Sequence, residues 1–147
     1  MTILVSACLL GLPCRYDGQS VPCPALVKAA EKGVRLIPFC PEIYGGLPTP
    51  RPASERRGER VVNNLGGDVT DAYRRGAEAA LALYRALGCD CALLKERSPS
   101  CGAGTIYDGT FTGALISGDG VTAELFRAAG VPVYGESRAM ELWEERE

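Results

Sequence analysis

Short apolar runs alternate with amphipathic stretches along most of the chain. The apolar runs are rich in Val, Ile, Leu and Ala and are bounded by Gly, Pro or polar residues, which is typical of buried strands. We predict four strands at these runs, over residues 2–7, 34–39, 92–95 and 131–134.

Four other stretches carry the periodicity and boundary residues of helices, and a Gly follows each of the first three. The predicted helices cover residues 24–32, 70–87, 121–129 and 137–145. The longest has an apolar face formed by Tyr73, Gly76, Ala77, Ala80, Leu81, Tyr84 and Leu87. We expect Thr70 or Asp71 to cap this helix and Ser137 to cap the last one.

Two segments lack a clear helix or strand pattern. Residues 40–65 contain Gly45, Gly46, several prolines and a run of arginines, and we predict a long functional loop there with a short strand near residues 61–62. Residues 104–120 are rich in Gly and Thr and are predicted to be a loop or a hairpin.

The alternation of strands and helices predicts an α/β fold. Strand–helix–strand units with right-handed crossovers place their strands parallel and their helices on both faces of the sheet. We therefore expect a single Rossmann-like domain over residues 1–147, with a mainly parallel sheet of about four strands. No Gly-x-Gly-x-x-Gly motif opens a helix after a strand, so a nicotinamide or flavin enzyme is disfavoured.

Charge and hydropathy narrow the functional classes. The formal net charge of −2 gives no reason to expect a nucleic-acid groove or binding to an anionic membrane surface. No segment offers the roughly 20 apolar residues that span a bilayer, and the N-terminus lacks the basic start and long apolar run of a signal peptide. The cytoplasm is the expected location.

The chain has seven cysteines and no histidine. An odd number of cysteines in a reducing compartment argues against a disulfide framework and for metal or thiol chemistry. The lack of histidine removes the commonest general base and imidazole as a metal ligand. Proton transfer must therefore rely on carboxylates, Lys, Tyr or water.

Three of the cysteines, Cys8, Cys40 and Cys101, each follow the C-terminal end of a predicted strand. In open parallel sheets ligands bind outside these ends, so we expect the three thiols to converge. Three thiolates suit an iron-sulfur cluster with one iron free of protein ligand, or a zinc ion with an open position. The alternative is that they are small buried apolar residues. Neighbouring Gly, Pro and small residues favour the metal hypothesis, because backbone can approach sulfur closely there.

The other cysteines have weaker signals. Cys14 is a competing fourth ligand, and a cluster that it closed would be an electron carrier or structural. Cys89 and Cys91 stand two positions apart at the start of the third strand, so both should point to the same face, far from Cys101, and pack in the core. Cys23 begins a helix and is expected to be structural.

Glu42 is the candidate general acid-base. It stands two residues after Cys40, at the same strand end, where a shielded carboxylate could exchange protons with a substrate. The alternatives are a surface glutamate or one paired with Arg51.

Polar residues around Cys101 and in the first loop complete the candidate site. Ser98 and Ser100 could donate hydrogen bonds to substrate or cluster sulfur, or could only shape the turn at Pro99. Positive charge for an anionic cluster or substrate could come from Lys95, Arg97, Arg15 and Arg51, although solvated surface is the default for each. We take Ser100, Lys95 and Arg15 as candidate substrate-binding residues.

Three motifs occur in a fixed order along the chain. They are Val5-Ser6-Ala7-Cys8-Leu9-Leu10-Gly11 with Cys14-Arg15-Tyr16-Asp17-Gly18, then Cys40-Pro41-Glu42 with Gly45-Gly46-Leu47-Pro48-Thr49-Pro50-Arg51, then Leu94-Lys95 with Arg97-Ser98-Pro99-Ser100-Cys101-Gly102. Ile106-Tyr107-Asp108-Gly109-Thr110-Phe111 follows them. Together they resemble the 2-thiouracil desulfidase family, and the resemblance covers nearly the whole chain.

The resemblance implies a 4Fe-4S cluster on Cys8, Cys40 and Cys101, with the sulfur of a thiocarbonyl substrate on the fourth iron. It implies non-redox chemistry, in which water attacks the activated carbon and sulfide departs onto the cluster as an added fifth sulfur. Glu42 matches the assisting carboxylate and Ser98 the assisting hydroxyl. Long relatives lack a cysteine at the position of Cys14, which favours leaving it out of the ligand set.

Two hypotheses follow from these observations. The first is an enzyme that removes sulfur from small thiolated nucleobases such as 2-thiouracil. The alternative is an iron-sulfur or zinc protein without catalysis, such as a sulfide carrier or a redox sensor. A thiolated nucleoside in RNA is a further possible substrate, but the net acidity of the chain argues against it.

Overall fold

The computed structural model describes residues 1–144 and contains helices and strands in regular alternation around a central sheet. In chain order the elements are β1 (Thr2–Ser6), α1 (Pro24–Glu31), β2 (Arg35–Phe39), α2 (Pro41–Tyr44), β3 (Ser54–Arg57), β4 (Arg60–Asn63), α3 (Thr70–Ala86), β5 (Cys91–Leu94), β6 (Thr105–Tyr107), β7 (Leu115–Ser117), α4 (Val121–Ala128), β8 (Val133–Gly135) and α5 (Glu141–Glu144). Short 3₁₀ helices cover Ala7–Leu10 and Glu136–Arg138.

The central sheet has four parallel strands in the order β2-β1-β5-β8. Ser6 at the end of β1 pairs with Phe39 at the end of β2, and Val5 pairs with Leu93 of β5. The C-terminal ends of these three strands therefore meet at one edge. The Rossmann-like α/β fold expected from the sequence is confirmed.

Side chains alternate across this sheet and form two apolar layers. Ile3 and Val5 of β1 pack with α1 and α5, whereas Leu4 packs on the opposite face with α3 and α4. Burial on both faces explains why the central strands are continuously apolar, as parallel strands covered by helices must be. The expected helices on both faces are confirmed.

The longest helix, α3, is amphipathic as predicted. Its buried face comprises Tyr73, Gly76, Ala77, Ala80, Leu81 and Tyr84. Leu87, which was expected on this face, is 48% exposed because it lies at the C-cap, after the last helical turn. Among residues 1–144, no helix combines the length and hydropathy needed to cross a membrane.

Two of the predicted helix caps are wrong. Neither predicted residue caps α3: the Asp68 carboxylate accepts a hydrogen bond from the backbone N–H of Thr70 at 2.9 Å, and the Thr70 hydroxyl accepts one from the backbone N–H of Val61 at 2.9 Å, which ties the helix to β4. Ser137 lies inside a 3₁₀ turn, where its hydroxyl donates to Glu96 at 2.7 Å. The last helix is shorter than predicted, and residue 145 lies outside the described residues.

The segment 40–65 is more ordered than the predicted loop. It contains α2 and the antiparallel hairpin β3–β4, which turns at Gly58 with φ +58°. Arg56 anchors the hairpin to α4, donating to the Asp119 carbonyl at 2.8 Å and the Glu124 carboxylate at 2.7 Å. Residues 104–120 form the hairpin β6–β7, one of the two structures predicted for them.

Helix α2 packs backbone to backbone against α3. A Cβ atom at Gly76 would collide with the Pro41 carbonyl, and one at Gly45 would collide with the Ala72 carbonyl. Because α2 begins directly after Cys40 and carries Glu42, the lack of side chains at these two glycines sets the position of both residues.

We expect Gly76→Ala to lower the free energy of unfolding by about 2 kcal/mol, because overpacking at the Pro41 carbonyl outweighs the gain in helix propensity of about 1 kcal/mol. Urea denaturation measures the change. Glu78→Ala, on the exposed side of α3, is the control and is expected to stay within about 0.5 kcal/mol of wild type. A Gly76→Ala protein as stable as wild type would contradict this account.

Candidate functional site

Three strands of the sheet deliver the three cysteines to one place. Cys8 lies in the 3₁₀ turn after β1, Cys40 is the N-cap of α2 after β2, and Cys101 lies in the turn that follows β5. All three line one cavity of about 520 Å³. Cys14 and Glu42 line the same cavity.

The turn that carries Cys101 is shaped by Ser98. The Ser98 hydroxyl oxygen accepts hydrogen bonds from the backbone N–H groups of Ser100 and Cys101, both at 3.1 Å. The Gly102 N–H closes the turn on the Ser98 carbonyl at 2.8 Å. The turn-shaping role considered for Ser98 is therefore present, and the same hydroxyl also lines the cavity.

Glu42 is enclosed rather than on the surface, with a side chain only 14% exposed. Its Oε1 accepts hydrogen bonds from the Tyr73 hydroxyl at 2.8 Å and from Arg51 Nε at 3.1 Å. Its Oε2 accepts one from the Ser100 hydroxyl at 3.0 Å. The pairing with Arg51 is thus found, and the carboxylate also faces the cavity that the thiols line.

Arg51 is buried, although we expected it to be a solvated surface residue. Besides Glu42, it donates to the Pro48 carbonyl at 3.2 Å, the Thr49 hydroxyl at 3.0 Å and the Cys14 carbonyl at 2.9 Å. The loop after α2 folds back so that this one guanidinium joins it to the first loop and to Glu42. Such a contact between distant loops has no signal in local sequence.

Cys14 is a fourth buried thiol at this site. Its carbonyl accepts from Arg51 and, at 3.8 Å, from the Cys40 thiol. A hydrogen bond with Cys40 lowers the pKa of Cys14, but a hydrogen bond with Cys8, burial and the Cys8 charge outweigh it and raise that pKa to about 11. Cys14 does not follow the end of a strand, and the hydrogen bond from Arg51 to its carbonyl positions it instead.

Two further thiols of the cavity, Cys40 and Cys101, are also held in their neutral form. Burial raises the pKa of Cys101 to about 12, although hydrogen bonds from Ser6 and Ser100 oppose the change. A hydrogen bond with Cys14, together with burial, raises the pKa of Cys40 far above its ordinary value. Metal ligands must be thiolates, and burial disfavours the thiolate form. The positive charge of a bound metal must therefore stabilise the deprotonated cysteines.

The donor set fits an iron-sulfur cluster better than a single zinc ion. Within residues 1–144, no three Cys, Asp or Glu side chains come close enough together to hold one metal ion. The cysteine ligands of a cluster bind separate irons and need not converge on one point, whereas zinc ligands must. Buried thiols also match the soft ligands that clusters use.

The candidate cations lie at the cavity but are partly engaged. Lys95 Nζ donates to the Glu136 carboxylate at 2.8 Å and to the Glu96 carbonyl at 3.1 Å. Arg15 is 3.6 Å from the Asp17 carboxylate and its guanidinium lies over Tyr16. Arg97 is exposed and lines the cavity with a left-handed backbone, φ 67°.

The remaining cysteines do not line this cavity. Cys23 is the half-buried N-cap of α1. Cys89 and Cys91 are both buried, in agreement with core packing, but they lie in apolar layers on opposite faces of the sheet. The expectation that they share a face is wrong, because β5 begins only at Cys91 and Cys89 still belongs to the turn after α3.

Three aromatic residues of the site had no predicted role. Tyr73 was expected only as part of the buried face of α3, yet burial and then the Glu42 charge and hydrogen bond raise its pKa well above the ordinary value, so it stays a donor. Tyr107 and Phe111 line the cavity from the segment after Cys101. Their presence in a motif of the family resemblance was the only signal for them.

Fold and cavity together define a Rossmann-like α/β protein with a thiol-lined ligand site. The chain belongs to the 2-thiouracil desulfurase family, whose model matches residues 3–138. This result confirms the family expected from the motifs.

Individual relatives agree with this assignment. The chain is 40% identical over 150 residues to the uncharacterized protein YbbK of Bacillus subtilis (strain 168), and the alignment covers 95% of this chain and 99% of YbbK. A solved structure of the 4Fe-4S-dependent thiouracil desulfidase TudS matches with a TM-score of 0.90 and 52% identity, covering 96% of this chain and 94% of that one.

We expect Arg51→Lys to lower the free energy of unfolding by about 3 kcal/mol, because lysine cannot make the four hydrogen bonds and leaves buried acceptors unpaired. Urea denaturation checks this. Arg60→Lys is the matched control, since Arg60 is 74% exposed and pairs with Asp68, and it is expected to change stability by at most about 0.5 kcal/mol. Equal losses in the two variants would contradict a structural role for Arg51.

Proposed function

We propose that this protein is a cytoplasmic enzyme that removes sulfur from small thiolated nucleobases such as 2-thiouracil. The overall reaction replaces C=S by C=O: water supplies the oxygen, the sulfur leaves as hydrogen sulfide, and no electrons are transferred. The observation that carries the proposal is a single cavity lined by three strand-end cysteines and by the enclosed carboxylate of Glu42.

Cys8, Cys40 and Cys101 are the proposed ligands of a 4Fe-4S cluster. When bound, the cluster supplies a Lewis-acidic iron without a protein ligand, which can take the soft thiocarbonyl sulfur and stabilise it as it leaves. The name of the solved relative, which describes a 4Fe-4S-dependent thiouracil desulfidase, supports this cofactor at 52% identity.

Glu42 is the proposed general base for water. Its Oε1 is occupied by hydrogen bonds from Tyr73 and Arg51, whereas Oε2 accepts a single one, from Ser100. Oε2 therefore retains the capacity to orient a water molecule and accept its proton. In a chain without histidine, an enclosed carboxylate is the group best suited to this step.

Ser98 and Ser100 are proposed to return the proton to the substrate. The Ser98 oxygen accepts two backbone N–H groups, and its hydrogen faces Ser100 Oγ. The Ser100 hydroxyl lies between Ser98 and Glu42. Its oxygen is 3.1 Å from Ser98 Oγ, and it donates a hydrogen bond to Glu42 Oε2. A proton that passes from Glu42 to Ser100 therefore lets Ser100 donate to Ser98 and frees the Ser98 hydrogen for a substrate ring nitrogen or the departing sulfur. The three side chains form a continuous path for one proton.

Arg15, Lys95 and Ser100 are the proposed substrate-binding residues. Arg15 is the freer of the two cations, because its contact to Asp17 is 3.6 Å long, whereas Lys95 is held at 2.8 Å by Glu136. Arg15 is therefore the better candidate for a carbonyl or an anionic form of the base. Lys95 is the better candidate for holding the loop after β5 in place.

The competing hypothesis is a closed cluster with Cys14 as fourth ligand and no catalysis. The specific observation in its favour is that Cys14 is buried at the same cavity and hydrogen-bonds with both Cys8 and Cys40. A closed cluster would leave no iron for substrate sulfur. The two hypotheses differ in what loss of Cys14 does.

After anaerobic reconstitution with iron and sulfide, we expect about four irons per chain and an EPR signal on reduction. Cys8→Ala, Cys40→Ala and Cys101→Ala should lose most of the iron and all turnover, whereas Cys14→Ala should keep both. Loss of 2-thiouracil absorbance without added reductant measures the turnover. A protein that holds no iron, or that keeps zinc instead, would sink the proposal, and loss of iron in Cys14→Ala would favour the closed cluster.

Glu42→Gln should lower kcat by about 10²- to 10⁴-fold, because the amide cannot accept the proton of water. Iron content should not change, since Glu42 is not a proposed ligand. Glu31→Gln, on the exposed side of α1, is the control and should match wild type. Wild-type turnover in Glu42→Gln would remove Glu42 from the proposed mechanism.

A further inference from the structure

Phe111 has an unusual backbone conformation for an aromatic residue. Its φ is 59°, in the left-handed region, and in the described chain only Arg97 among the other non-glycine residues shares a positive φ. Bulky side chains adopt this conformation only where their surroundings enforce it, and such residues cluster at ligand sites. Both residues line the cavity described above.

The hairpin β3–β4 enforces this conformation with two charged side chains. Glu55 Oε1 accepts hydrogen bonds from the backbone N–H groups of Gly109 at 2.9 Å and Phe111 at 3.2 Å. Arg57 Nε donates to the Gly109 carbonyl at 2.7 Å. A Cβ at Gly109 would meet the Arg57 side chain at 2.5 Å, so the two segments are in close contact.

The same arginine also covers the ring. The Arg57 guanidinium lies 5.9 Å from the centroid of the Phe111 ring, a cation–π contact on one face. The half-buried ring is thus held by charged groups from the hairpin while it lines the cavity of Glu42 and the three cysteines.

Three of the other four aromatic residues of the cavity have contacts that assign them different roles, and the fourth, Tyr107, lies in the strand β6 without a positive φ. Phe39 stacks on Tyr44 with ring centroids 4.5 Å apart, the Tyr73 hydroxyl is used by Glu42, and Tyr16 lies under Arg15. Phe111 is the aromatic residue whose position is fixed at the expense of an unfavourable backbone conformation. A rigid apolar ring without a polar group is suited to stacking rather than to hydrogen bonding.

We infer that Phe111 stacks on the substrate ring and restricts the enzyme to planar, unsaturated thiolated heterocycles. The inference rests on the proposed desulfuration and adds a specificity residue to it. Stacking recognises any planar base through its π-face, so it selects the class of ring rather than its substituents. Saturated cyclic thioureas and open-chain thioamides lack a flat conjugated ring and gain much less from stacking on Phe111.

The test compares Phe111→Leu, which removes the ring but keeps an apolar side chain, with Phe111→Tyr, which keeps the ring. We expect Phe111→Leu to raise KM for 2-thiouracil about tenfold and to change kcat by less than about threefold. With 5,6-dihydro-2-thiouracil, which has a puckered ring and the same thiocarbonyl, KM should change by less than about threefold, since little stacking is lost. Leu115→Ala, an exposed residue on β7 outside the cavity, is the control and should leave both constants unchanged.

A second measurement does not depend on turnover. Anaerobic calorimetry on the reconstituted enzyme gives the Kd of uracil and of 5,6-dihydrouracil, neither of which carries sulfur to remove. Phe111→Leu should weaken uracil binding about tenfold and leave dihydrouracil within about threefold, and Phe111→Tyr should resemble wild type for both. Equal effects of Phe111→Leu on the planar and the puckered ligands would overturn the inference.

The outcomes also distinguish failure of the stacking role of Phe111 from failure of the proposed desulfuration. A wild-type enzyme that desulfurises 2-thiouracil, together with a Phe111→Leu variant that matches it, would overturn the stacking role and leave the function intact. A wild-type protein that binds uracil through Phe111 but removes no sulfur would overturn the function and leave the stacking role. If wild-type protein neither binds uracil nor removes sulfur, both are wrong.

Discussion

The register of three parallel strands is the constraint on which the candidate site depends. β1 pairs with β2 on one side and with β5 on the other, so their C-terminal ends lie along one edge of the sheet. Helices pack against both faces of these strands, so a shift in register would disrupt the packing of both apolar layers. The residues that follow the three strand ends therefore lie close together, and Cys8, Cys40 and Cys101 are among them.

A second set of contacts closes the site from the other side. The chain between β2 and α3 folds back over the strand ends, and Arg51 joins the first loop to Glu42 from within it. Burying a guanidinium is unfavourable unless its N–H groups are hydrogen-bonded. Each of the three guanidinium nitrogens of Arg51 donates to at least one acceptor. The hairpin from the same segment then holds the loop of Phe111 through Glu55 and Arg57.

The absence of histidine limits the groups that can accept a proton at this site. The enclosed carboxylate of Glu42 accepts hydrogen bonds from three donors in three different parts of the chain. The chain belongs to the 2-thiouracil desulfurase family, and its fold matches that of the TudS structure with a TM-score of 0.90.

Local pattern determined much of this protein. Hydrophobic periodicity and Gly or Pro boundaries sufficed for β1, α1, β2, α3, β5 and α4, because these signals act within a few residues. The placement of cysteines after strands sufficed to predict their convergence, because ligands of open parallel sheets bind outside the C-terminal ends of the strands. Tertiary structure alone decided the burial of Arg51, the approach of Tyr73 to Glu42 and the conformation of Phe111. Each of these depends on partners far away in the chain, and no local pattern records such a contact.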